Sequence, residues 1–181
     1  HYSVEPTPGR HTLGSLLYYE MFQLWKVVKD IPKAQSMYWK SSKYNDPEKL
    51  AEFGAITSKF MTIVNSVGGC LFGAFLGAKR IRFFDWMNAA TGWDLTPNQY
   101  MDKAAGIHTL KQSFNVKHGL EPKKIKISER ALGRPAQKEG ANKGRSVEIE
   151  AMMSRYWEAF GWDGDTGKPS VGQEERIAAG A

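Results

Sequence analysis

The sequence predicts an all-α domain of five or six helices around one core. Apolar residues recur at every third or fourth position in several separate stretches. Helix-start signals stand ahead of two of those stretches, at Asp46-Pro47 and at Thr96-Pro97-Asn98-Gln99. No strand-like alternation persists, since Lys124-Ile125-Lys126-Ile127 is too short to count. Helices packed on helices are then the simplest way to bury the apolar stripes.

The first helix is expected from Thr12 to about Asp30. Leu13, Leu16, Leu17, Phe22, Trp25 and Val28 supply its stripe, and Pro32 stops it. Residues 35–45 are polar and basic and read as a loop. Asp46 caps the second helix by accepting from free N–H groups, and Pro47 suits the first helical position. Its stripe is Leu50, Phe53, Ile56, Phe60, Met61 and Val64, and it breaks at Asn65-Ser66-Val67-Gly68-Gly69-Cys70. From about Cys70 to Ala78 a short helix carries a glycine ladder, Gly69, Gly73 and Gly77. It is expected to be buried, with another backbone or a bulky ligand against the glycines. A further helix covers 80–90, with Phe83, Phe84 and Met87 on one face. The capping box at Thr96 and Gln99 opens a long helix that ends at His118-Gly119. Residues 120–145 read as a basic, irregular loop. Ser146 is expected to cap a last helix through Phe160, and 170–181 to be a flexible tail.

The chain has 181 residues, 41% hydrophobic and 24% charged, which suits one soluble globular domain over 1–181. Its net charge is +6. The basic residues crowd into Lys117, Lys123, Lys124, Lys126, Arg130, Arg134, Lys138, Lys143 and Arg145. Such a stretch is either a solvated loop or a contact for an anionic partner. With one cysteine no intrachain disulfide can form, and a reducing, cytoplasmic setting is expected. The longest apolar run, Val67 to Ala78, falls short of the ~20 residues that span a bilayer, so no membrane association is expected. The chain opens on His1-Tyr2-Ser3-Val4-Glu5 and Pro6-Thr7-Pro8-Gly9, which reads as the middle of a longer protein.

Three groups could carry chemistry. Cys70 follows two glycines at a helix start, where free N–H groups favour a thiolate. A lone cysteine is more often a small buried hydrophobe than a ligand, and a cluster would need thiolates from outside the chain. His11 follows Arg10 ahead of a helix. It could exchange a proton near neutral pH, or serve only as a capping or solvent-facing residue. His108 and His118 read as bystanders. The triplets Gly92-Trp93-Asp94 and Gly161-Trp162-Asp163 read as structural punctuation, each with a Trp that can fold back on the core. Phosphate-loop, dinucleotide and zinc-protease motifs are absent.

Several of these segments, in order, resemble the aldehyde:ferredoxin oxidoreductase family. Asn65-Ser66-Val67-Gly68-Gly69-Cys70 is similar to its Asp-x-x-Gly-Leu-Cys motif, and Phe114-Asn115-Val116-Lys117-His118-Gly119 to its Phe-Asn-x-Arg-x-Gly segment. Met152-Met153-Ser154-Arg155-Tyr156-Trp157, Gly161-Trp162-Asp163 and Thr166-Gly167-Lys168-Pro169 resemble its closing pattern. The resemblance implies the C-terminal helical domain of a longer enzyme, a fragment inactive by itself. It implies a tungsten (or molybdenum) bis-pterin and a [4Fe–4S] cluster, both completed by residues outside this chain. Cys70 would be the fourth cluster ligand. Asn65, Gly68 and Gly69 would form part of the pterin site, with Asn65 where the motif has Asp and Gly69 where it has Leu. His11 would be the proton-transfer residue. The implied reaction is oxidation of an aldehyde to a carboxylic acid, with electrons passed to ferredoxin. Implied partners are the N-terminal and middle domains of the same enzyme, and a homodimer is compatible with it. The basic stretch would serve an acidic ferredoxin or pterin phosphates.

Two other readings compete. Some family members reduce aromatic-ring thioesters instead. From a different class, a non-catalytic helical module could bind nucleic acid through Lys123 to Arg145, with steep salt dependence and no use for Cys70. The ordered motifs weigh against nucleic acid.

Overall fold

The computed structural model describes residues 1–10, 12–33, 46–77 and 82–179. His11, the 35–45 loop and the ends of two expected helices, 78 and 80–81, lie outside them. Seven α-helices form among the described residues: α1 (Leu16–Met21), α2 (Pro47–Ser66), α3 (Leu71–Gly77), α4 (Phe83–Thr91), α5 (Pro97–Lys117), α6 (Ile149–Glu158) and α7 (Gln173–Ala179). The only pairing of strand type among these residues is an isolated bridge, Gln137 to Lys143. The all-α expectation holds, with one more helix than the upper expectation.

The central helix is α2. Its start follows the local code: Asp46 accepts from the amides of Glu48 and Lys49, and Pro47 holds the first position. The apolar stripe faces α1, α4 and α5 and builds one core with Tyr19, Leu24, Phe84 and Tyr100. The opposite face carries Ala51 and Ala55, against which Met153, Tyr156, Trp157 and Phe160 of the α6 region and Trp162 pack. Small residues there let α6 approach closely. Thr57 is satisfied within α2, donating to Phe53 O at 2.8 Å.

The pairs between α2 and α6 advance together. Ile149 lies beside Leu50 and Ala51. Arg155 pairs with Glu52 at 2.8 Å, and Lys59 donates to Ala159 O at 3.2 Å. The two helices therefore run parallel. Lys59 is well placed at the carbonyl end of α6, where a cation meets the negative end of the helix dipole. Its burial lowers the ammonium's pKa.

The start of α5 follows the sequence closely. Thr96 accepts from Gln99 N at 3.3 Å, and the Gln99 side chain accepts from Thr96 N at 2.8 Å. We expect Thr96→Ala to lower stability by about 1 kcal/mol, read as a lower urea midpoint with unchanged slope.

Four expectations are corrected. The first helix does not run from Thr12 to Asp30; α1 stops at Met21, and Gln23 takes a left-handed conformation (φ 47°) before a short 3-10 turn at Leu24–Lys26. That break turns Leu24 and Val28 into the core, while Tyr19 OH donates to Pro32 O and draws the chain back. The last main helix starts at Ile149 with no side-chain cap, so Ser146 does not open it. Residues 173–179, expected to fray, form α7, tied to α5 by a Lys117–Glu174 pair at 2.8 Å and by Ile177 against Gly106. The glycine-laddered helix is not buried: Phe72 is 75% and Leu76 93% exposed. A Cβ on Gly73 would find only the Cys70 Cβ within contact distance, at 3.6 Å, so no second backbone seats there among the described residues.

Residues 120–145 are irregular, with a 3-10 turn at Pro122–Lys124 and a series of tight turns. Leu132 is their buried anchor, and its carbonyl accepts from Val147 N at 2.9 Å. Arg134 forks onto Glu150 in the first turn of α6, at 3.2 and 3.0 Å.

Candidate cofactor-binding corner

The candidate site is the corner where α2 gives way to α3. Gly68 has φ +71°, its amide donates to Asn65 O at 3.2 Å, and the Gly69 amide donates to Val64 O at 2.8 Å. These two bonds are the usual glycine-terminated helix ending. Gly68 is required by the positive φ. Gly69 is required by space: a Cβ there would stand 2.8 Å from Val64 O and 2.9 Å from Val64 Cγ1. That contact excludes a larger side chain from this turn. Because both amides are spent on α2, neither is free to donate to a ligand; their part in the corner is shape.

Cys70 leaves this turn exposed and unpaired as a free thiol. Its carbonyl accepts from Ala74 N at 2.8 Å and so begins α3. Asn65 sits in the last turn of α2. Its amide nitrogen donates to Met61 O at 2.7 Å, which leaves Oδ1 facing outward to accept from Arg10 Nη2 at 3.2 Å. The corner thus gathers Arg10, Asn65 and Cys70, with Gly68 and Gly69 between them. Among the described residues no group of three or more His, Cys, Asp or Glu could hold a metal ion. Cys70 alone offers one thiol, and an iron–sulfur cluster takes four such ligands. No helix among the described residues is long and apolar enough to cross a membrane.

Beside the corner lies an apolar groove of about 530 Å³ between α2, α4 and α5, with Val67, Phe83, Trp86 and Trp93 in its walls. Val67, Trp86 and Trp93 are about half exposed. The Trp93 ring lies 6.2 Å from that of Tyr100 but does not fold into the core, unlike Trp162, which is buried and donates to Thr109 Oγ1 at 3.0 Å. Gly92 and Gly161 both have positive φ at helix ends, which supports the punctuation reading of the two triplets.

His118 is exposed, with its ring tilted against that of Phe114. His108 is not a bystander. It is buried in α5, 3.2 Å from Glu5 Oε2, 3.0 Å from Tyr156 OH and 3.3 Å from Thr62 Oγ1. The Glu5 carboxylate also accepts from Tyr156 OH at 3.0 Å and from Ser58. Burial alone would raise the Glu5 carboxyl's pKa. The His108 ring close by, with the hydrogen bonds from Ser58 and Tyr156, outweighs it and holds the carboxyl below its ordinary value. Burial pushes the Tyr156 phenol well up. The sequence offered only a faint sign of this cluster: a Glu next to Pro6, and a His on the inner face of a long helix.

The part of the basic stretch that packs on α6 lies far from the corner. Leu132 and Arg134 sit at the first turn of α6, which lies beside Leu50 and Ala51 at the start of α2. At 1.5 Å rise per residue, Cys70 is about 25 Å away along α2.

A family model described as aldehyde ferredoxin oxidoreductase, domains 2 and 3, matches residues 1–177. The chain is 36% identical over 114 residues to a tungsten-containing aldehyde ferredoxin oxidoreductase of Pyrococcus furiosus, a stretch that is 62% of this chain and 18% of that protein. The corresponding protein of Thermococcus kodakarensis is 35% identical over the same length and shares. The chain therefore spans about a fifth of the length of these relatives. With its helices, its exposed cysteine and its matched length in place, the chain belongs to the aldehyde ferredoxin oxidoreductase family.

Proposed function

We propose that this chain is the C-terminal part of a tungsten (or molybdenum) pterin oxidoreductase that oxidises aldehydes to carboxylic acids and passes the electrons through a [4Fe–4S] cluster to ferredoxin. The observation that carries the reading is Cys70, an exposed thiol at the glycine turn between α2 and α3, in a chain of this family. The donor set fits one quarter of a cluster: a thiolate that faces outward can meet three others supplied by the middle domain. Phe72 and Leu76 on α3, and the groove at Trp86 and Trp93, are the apolar surface that the remaining domains of the same enzyme would cover.

When bound, the metal pterin and the cluster supply the redox chemistry, and the chain's own residues orient and partner them. Cys70 ligates iron through Sγ. Asn65 offers an amide in place of the motif's carboxylate, able to donate or accept but without the charge. Arg10, held on Asn65, adds a cation beside that amide and is suited to an anionic group of the pterin. Gly68 and Gly69 keep the corner low enough for close approach. His11, next to Arg10 in sequence, holds and moves the proton that the oxidation releases.

The test is Cys70→Ser in the full-length enzyme. Iron retention is expected to weaken by roughly ten- to a hundredfold, the scale on which even outer partners of a metal site act, with loss of cluster absorbance and of electron transfer to ferredoxin. Iron content equal to the wild type would remove the ligand assignment.

A further inference from the structure

Residues 1–10 form a strap with two anchors. One is in the interior. Glu5 is buried among three helices: Ser58 of α2 and Tyr156 of α6 donate to Oε1, His1 Nδ1 stands 3.3 Å from it, and Oε2 faces His108 of α5 at 3.2 Å without an aligned hydrogen bond. The other anchor is at the corner, where Arg10 meets Asn65 at 3.2 Å. Between them the chain has little freedom. Pro6 fixes its own φ, and its carbonyl accepts from Asn115 of α5 at 2.5 Å. Gly9 N bonds back to Tyr2 O at 3.4 Å, and Arg10 N to Thr7 O at 3.2 Å.

A buried ionic cluster is a poor device for stability alone, because apolar residues of the same volume often serve as well. What it supplies is a single register. A carboxylate can sit only where its donors converge, and here the donors come from α2, α5 and α6 at once. The strap can therefore dock in one way, and the reach from Glu5 to Arg10 is set by that docking.

We propose that Glu5, together with His108 and Tyr156, is a positioning residue for the corner: from the interior it seats the strap so that Arg10 meets the anionic part of a bound cofactor beside Asn65. The inference rests on the cofactor reading of the corner. None of the three touches the cofactor, and Arg10 is the group through which they act.

Two variants of the full-length enzyme test it. Glu5→Gln keeps the size and removes the charge, and Tyr156→Phe removes only the hydroxyl that bridges Glu5, Ser58 and His108. Amide hydrogen exchange is expected to speed up within residues 6–10 while the interiors of α2 and α5 keep wild-type protection. In the same variants kcat for aldehyde is expected to fall roughly ten- to a hundredfold with KM little changed, as for a misplaced group. In an Arg10→Ala background, Glu5→Gln is expected to add no further loss of kcat. Three results overturn the proposal: wild-type exchange in the strap, a loosened strap with unchanged kcat, or losses that add across the Arg10 background. A uniform rise in exchange over all helices also overturns it, since it marks a purely structural role. Failure of the cofactor reading is seen separately, in the iron content of wild type against Cys70→Ser, which the strap variants leave untouched.

Discussion

Trp157→Ala is expected to lower stability by about 3–5 kcal/mol, a large share of the ~5–15 kcal/mol that holds a domain together. Trp157 is 1% exposed and sits between Met153, Tyr156 and Phe160 on one side and the Gly167 turn on the other. No smaller neighbour can collapse into its place, because the turn is pinned. Asp163 accepts from Thr166 N and Oγ1, both at 2.7 Å, and Gln112 donates to Gly167 O at 2.9 Å. Among the described residues the indole nitrogen finds no hydrogen-bond partner, and a buried unpaired donor costs about 1–3 kcal/mol by itself. Trp157→Phe therefore removes a liability as well as volume and should cost clearly less than Ala. Urea unfolding followed by far-UV circular dichroism checks the order. Equal losses for Phe and Ala would show that packing around the ring, rather than its fill and its orphan donor, decides the effect.

Gly167→Ala is expected to cost about 2–5 kcal/mol for two separate reasons. Its φ of +71° is a left-handed conformation that costs an L-residue ~1–2 kcal/mol. A Cβ there would also stand 2.5 Å from Trp157 Cε2, an overlap with a ring that cannot retreat, and overpacking of that kind adds roughly 1–3 kcal/mol. The two causes can be separated. In a Trp157→Ala background the overlap vanishes and only the backbone cost remains, so the double variant should be more stable than the two single losses added together. Strict additivity of the two urea midpoint shifts would contradict the contact.

Local signals were legible in the sequence because their causes are local. Asp46-Pro47 and the Thr96–Gln99 box act within four residues, and both open their helices where expected. Gly68 and Gly69 announce a turn for the same reason. The kink at Gln23 was not legible, since a left-handed non-glycine residue carries no signature; it follows from Leu24 turning inward and Tyr19 bonding Pro32. The exposure of α3 was hidden because an apolar run looks the same whether its cover is in the chain or beyond it. At the site, Asn65 and Cys70 came from an ordered motif, but the Arg10 contact joins positions 55 apart, and Glu5 meets Tyr156 across 151 positions. No window on the sequence joins such residues. The course of residues 1–10 over α2, and over α6 parallel to it, does.

That parallel course has an electrical consequence. Residues 120–145 hold eight Lys or Arg against three Glu, so five of the six net positive charges are gathered in one segment. Its Leu132 and Arg134 lie at one end of α2, and Cys70 lies past the other. This densest basic segment and the thiol thus stand at opposite ends of the central helix. An anionic support that took hold of the chain through this segment would leave the Cys70 corner facing the solution. Added salt would weaken that hold without altering the contacts at the corner.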